Sequence, residues 1–139
     1  MAWLALCAAL GVHVLDEATT GFLELWNPTV SRIRESAPWF PLPTFEFAEW
    51  ISGLIVGIAI LFALSYFVFQ GARWIRPFAY GFAALMIGNG LGHIAASVYL
   101  ARPAPGVLSA PLLLAAGGAL FAATRRARFE ALPAPGSCG

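Results

Sequence analysis

Three stretches of this chain, residues 50–69, 77–101 and 103–124, contain no Asp, Glu, Lys or Arg. Each reaches the roughly 20 apolar residues that a helix needs to cross a bilayer. Such runs leave no polar face to turn toward water. The composition agrees: 60% of the 139 residues are hydrophobic and 11% charged, where soluble domains hold about 45–50% and 25%. Mean hydropathy is +0.77. A fourth run starts at the N-terminus but stays apolar only to Leu15. To span, it must pass Asp16 and Glu17 and continue to about residue 26, where Asn27-Pro28 offers a stop. Pro111 marks a kink or a late helix start in the last run.

These runs predict an all-α fold, an integral membrane four-helix bundle. Residues 1–131 form one domain with spans at about 2–26, 46–70, 77–101 and 103–124, and residues 132–139 a disordered tail. The first run is expected to be a retained span and not a cleaved signal, because no Lys or Arg precedes it. Lys is absent, so orientation rests on Arg. Arg73, Arg76, Arg125, Arg126 and Arg128 share one side of a four-span chain, and Arg32, Arg34 and Arg102 the other. This places both termini in the cytoplasm, in a cell inner membrane. Residues 27–45 then form an outer loop, with Trp26, Trp39, Phe40 and Trp50 suited to the interface and a short surface helix around Val30 and Ile33. A net charge of +1 gives no basic surface for nucleic acid. Cys7 and Cys138 have no ligand or disulfide spacing and read as unrelated thiols.

The polar residues inside this apolar frame carry the functional signal. A charge at mid-membrane costs about 2.5–3.5 kcal/mol on insertion scales, so something must compensate it. His13, Asp16, Glu17, Thr20 and Glu24 follow helical steps of three and four, and so share one face. Glu46, Glu49, Gly53 and Gly57 form a second stripe, and Asn89, His93 and Ser97 a third. Gly53 with Gly57, and Gly88 with Gly92, suggest close helix packing. At 1.5 Å per residue, His13 lies about 18 Å along the first helix, and Asn89 and His93 about 18 and 24 Å along the third. Glu46 and Glu49 open the second span from the outside. All fall in the outer half of the bundle.

Imidazole with carboxylate suits Zn, Fe or Mn. His13, Glu17, Glu46 and His93 are the candidate ligands of a divalent metal ion, mono- or dinuclear. Glu49 and Asp16 are candidate catalytic carboxylates, one acting as general base. Asn89 is placed to fix the His93 ring. Carboxylate-bridged helix-bundle sites have a similar inventory but use Glu-x-x-His, which is not found here. Other readings compete: buried histidines that are merely hydrogen-bonded, proton-carrying carboxylates, interfacial Glu46 and Glu49, or a haem between the histidines. There is no Gly-x-Ser-x-Gly, phosphate loop or His-Glu-x-x-His, and Ser52, Ser65, Ser97 and Ser109 lack a nucleophile context.

His13-Val14-Leu15-Asp16-Glu17 resembles the His-x-x-Glu-Glu motif of the HXXEE domain family, small polytopic membrane proteins. Glu46-Phe47-Ala48-Glu49-Trp50 and Asn89-Gly90-Leu91-Gly92-His93, the latter as Asn-x-x-x-His, are also similar to the family. The resemblance covers residues 13–93. Asp16 stands where the motif has Glu, so Glu17 is the expected ligand. The family has no settled biochemical function, so the resemblance supports the polar constellation without saying what it does.

The resulting expectation is a metal-dependent hydrolase or oxidoreductase acting on a lipid-like or small apolar substrate, with membrane lipid as partner. The alternatives are a proton-coupled or metal transporter acting as a homo-oligomer, and a non-catalytic membrane subunit.

Overall fold

The computed structural model describes residues 1–130, with side chains through residue 127. The expected disordered tail and Cys138 lie outside the described residues. The described chain is all-helical: α1 Ala2–Thr20, α2 Phe22–Ser36, α3 Phe47–Phe69, α4 Ile75–Tyr99 and α5 Ala110–Glu130. Five helices replace the expected four, because the first predicted span breaks in two. The break falls at Gly21, whose left-handed backbone (φ 79°) ends α1 while its N–H returns to the Glu17 carbonyl. A residue without Cβ adopts that conformation at little cost. Pro28, read as a stop, lies inside α2. Val30 of α2 is buried, whereas Arg32 and Arg34 are exposed.

Among the described residues, α1, α3 and α4 are long and apolar enough to cross a membrane. The fourth predicted span also differs from expectation. Residues 103–109 form a loop, and α5 starts only at Ala110, with Pro111 in its first turn. Pro77 likewise occupies the first turn of α4. A missing N–H removes no intrahelical bond at either place.

α1 is the central helix. Trp3, Leu6, Cys7, Leu10 and Val14 bury against Phe82, Ala83 and Met86 of α4 and against Leu113 and Leu120 of α5. α3 rests on this core through Leu54, Ile58, Leu61 and Leu64. The Trp3 indole N–H donates to the Leu61 carbonyl (2.9 Å), tying α3 to α1. The opposite face of α3, with Ile55, Val56 and Ile60, is exposed.

The glycines divide differently from the sequence expectation. A Cβ at Gly53, Gly57, Gly88 or Gly92 would meet nothing within 4 Å, so none of these mediates close packing. The close crossing is α4 on α5. There a Cβ on Gly90 would lie 3.0 Å from the Ala110 carbonyl, and one on Gly117 2.9 Å from Ile87 Cγ1. The start of α1, the end of α3, the start of α4 and the end of α5 meet at one end of the bundle, where Met1, Val68, Arg76 and Thr124 line one cavity. The polar residues of α1 and α4 meet toward the other end.

Candidate metal centre

His13 and Glu17 are one helical turn apart near the end of α1. Both are buried, His13 at 0% exposure and Glu17 at 5%. His93, also buried, enters from α4. The three side chains converge. His13 Nε2 lies 3.2 Å from His93 Nε2, and Glu17 Oε1 lies 3.5 Å from the former and 3.0 Å from the latter. Among the described residues, this is a group of donors close enough to hold a metal ion.

The outward nitrogens of the two rings determine what the inward nitrogens offer. His93 Nδ1 lies 2.5 Å from the Pro105 carbonyl. A carbonyl only accepts, so Nδ1 carries a proton, and in the neutral ring Nε2 presents a lone pair. His13 Nδ1 lies 2.8 Å from Ser109 Oγ. The Ser109 hydroxyl donates to Asp16 Oδ2 at 2.7 Å, which leaves its oxygen to accept from His13 Nδ1–H. With both rings neutral, the two Nε2 atoms face Glu17 and each other as acceptors. Two lone pairs and a carboxylate oxygen at these distances repel unless a metal ion or a proton lies among them. With bonds of 2.0–2.1 Å, tetrahedral ligand atoms are about 3.3–3.4 Å apart, close to the three distances found. Two axial imidazoles on a haem iron would need about 4 Å between nitrogens at the same bond length, more than the 3.2 Å present.

The loop of residues 103–109 closes the centre from one side. Gly106 is buried with φ 81°, and a Cβ there would sit 2.8 Å from His93 Cε1 and 2.9 Å from His13 Cε1. Only glycine lets the backbone approach both rings in this conformation. Ser97 anchors the loop: its hydroxyl donates to the His93 carbonyl (2.8 Å) and accepts from the Ala104 N–H (2.9 Å). Ser109 directly precedes α5, and its N–H donates to Asp16 Oδ2 at 2.9 Å. Asp16 thus brings a carboxylate to the positive end of α5 and satisfies a backbone donor there.

The other predicted residues are placed elsewhere. Glu46 and Glu49 are exposed and form a reciprocal capping box at the start of α3, where the Glu46 N–H donates to Glu49 Oε2 at 3.2 Å. They stand outside the donor group, because Glu-x-x-Glu at a helix start satisfies the free N–H groups of the first turn. Asn89 is half-buried and lines two cavities, one beside Glu17 and one beside His93. The His93 ring is fixed by the Pro105 carbonyl, a role expected of Asn89. Pro105, Gly106 and Ser109 were not legible as site residues because an apolar, charge-free stretch reads as span. Pro105-Gly106 is nonetheless a turn signature, and it excludes a continuous helix there.

No curated protein and no solved structure matches the chain. The family described as proteins of unknown function with an HXXEE motif matches residues 3–121, which include every residue of the centre, and the chain belongs to that family.

Proposed function

We propose that this protein is a metal-dependent membrane enzyme acting on a lipid-like substrate, with His13, Glu17 and His93 as the protein ligands of one divalent ion. The supporting observation is the triangle of Nε2, Nε2 and Oε1 atoms at 3.0–3.5 Å, with both ring tautomers held from behind. Two histidines and one carboxylate with an open position form the ligand set of hydrolytic zinc sites. Non-haem iron oxygenases use the same trio on one face of an octahedron, so the metal decides between hydrolysis and oxidation. A bound ion there supplies a Lewis acid or an activated water.

The chain's own residues have defined parts. The two imidazoles present lone pairs, and Glu17 offsets the charge of the ion. Ser109 and the Pro105 carbonyl hold the ring orientations. Asp16 acts on His13 through Ser109 and is a positioning residue. A small pocket lined by Glu17, Gly21, Phe22, Glu24 and Trp50 lies beside the end of α1, on the Glu17 side of the centre.

In this reading α1, α3 and α4 cross a cell inner membrane, and α5 returns through it packed against α4, its charge-free part, residues 110–124, being shorter than those three spans. Arg73, Arg76, Arg125 and Arg126 mark the cytoplasmic end, together with both termini. The centre then lies in the outer half, below α2.

Elemental analysis of protein purified without chelator tests the proposal, beside the His13→Ala/His93→Ala double variant. The expected result is one zinc, iron or manganese per chain, lost in the variant. A metal-free wild type would leave a proton between the histidines and sink the enzyme reading. Unchanged metal content in the variant would do the same for this ligand set.

A further inference from the structure

A cavity of about 660 Å³ is bounded by α1, α3 and α4. It exists because α3 leans on α1 and makes no substantial contact with α4. Its walls are set back by glycines on both sides. Gly53 and Gly57 of α3 and Gly81 of α4 line it, and a Cβ on any of the three would meet nothing within 4 Å. Close packing therefore does not explain these three residues, and the effect of each is to widen the space.

The cavity has direction. Glu17 and Asn89 line it at one end, and Trp3 and Pro77 at the other. Glu17 is the one charged side chain in the lining. The separation of Trp3 from Glu17 on α1, and of Pro77 from Asn89 on α4, corresponds to roughly 18–21 Å at 1.5 Å per residue. One leaflet of a bilayer core is about 15 Å deep, so the groove matches the reach of a single lipid chain.

We infer that this groove is the chain-binding site for a membrane amphiphile, with one long alkyl chain lying between α3 and α4 and its polar group at Glu17 and the histidines. Entry is lateral, from the bilayer between α3 and α4. The alkyl chain runs from the metal centre toward the Arg-rich end of the bundle. Asn89 adds an amide donor and acceptor beside Glu17 for the polar group. This rests on the enzyme reading for its substrate, but the groove is testable apart from it.

The probe is a long-chain fatty alcohol with a mid-chain diazirine, photolysed with the full-length protein in phosphatidylcholine nanodiscs and mapped by mass spectrometry. Adducts are expected on groove residues such as Leu54 and Met86 and not on the lipid-facing Ile55 and Ile60. Gly57→Leu fills the groove from α3 and Gly81→Leu from α4, where the added side chains have room. Each should lose the groove adducts while keeping wild-type metal content and a single gel-filtration peak. His13→Ala/His93→Ala should keep the adducts while losing metal, so failure of the metal centre and failure of the groove give separate signatures. Adducts spread evenly over the exposed face of α3 would overturn the inference. So would groove adducts that persist in both leucine variants, or a dimer crosslinked through α3 and α4 that shields the groove.

Discussion

Ser109 Oγ lies 2.8 Å from His13 Nδ1, joining α1 to the residue before α5 across 96 positions of sequence. The same hydroxyl donates to Asp16 Oδ2. One serine therefore sets the tautomer of a candidate ligand and places a carboxylate behind it. Ser109→Ala removes both contacts and frees the ring to turn or change tautomer. Comparable losses behind metal ligands lower affinity about 10–100-fold. Metal titration of Ser109→Ala should show a loss of that order, with the secondary structure by circular dichroism unchanged. Wild-type affinity would show that His13 orientation does not depend on Ser109.

Gly106→Ala is expected to be more damaging than its size suggests. The new methyl would fall within 3 Å of both imidazoles, on a backbone at φ 81° that disfavours side chains. The loop must withdraw or the rings must rotate. Metal content should fall below stoichiometry, while Gly118→Ala, where a Cβ meets nothing within 4 Å, should retain it. Equal metal content in the two variants would contradict the role given to the loop.

Glu46 and Glu49 separate the capping role from metal binding. Glu46→Ala and Glu49→Ala should each cost about 0.5–1 kcal/mol of stability through the lost cap. Their metal content should stay at the wild-type level. Loss of metal from either variant would return these carboxylates to the ligand set.

Trp3 tests how α3 is held. Trp3→Phe keeps most of the apolar volume and removes the donor to the Leu61 carbonyl. Hydrogen bonds between membrane helices average about 0.6 kcal/mol, so a small drop in thermal stability in detergent is expected. Because Trp3 and Leu61 also line the groove, labelling by the diazirine probe should spread from groove residues to the rest of α3. Unchanged stability and labelling would show that α3 is held by apolar packing alone.

Bound metal should also stabilise the fold. An ion that binds only the native state at 100 times its dissociation constant contributes about 2.7 kcal/mol. The melting temperature of the wild type should fall on chelation and recover on adding back the native metal. His13→Ala/His93→Ala should respond to neither treatment.

Helical class, membrane-scale apolar runs and the residues that resemble the HXXEE family were all legible in the chain itself, because they depend on local composition and on a period of 3.6. α3 and α4 lie within two residues of the spans read for them. His13, Glu17 and His93 stood out for the same local reason, as titratable groups in stretches that cannot easily solvate them. What the sequence could not decide is which of these groups meet. Glu46 and Glu49 looked equivalent to Glu17 by depth and spacing, yet they cap their own helix. Ser109 looked like a serine without context, yet it holds His13 and Asp16 together. The loop of residues 103–109 read as span because apolar composition does not distinguish a lipid-facing helix from backbone buried in protein. The open glycines of α3 read as packing because spacing does not reveal whether a neighbour is present. Helix rotation, the fold of the loop over the rings and the gap between α3 and α4 are set by contacts between distant segments, and only tertiary structure determines those.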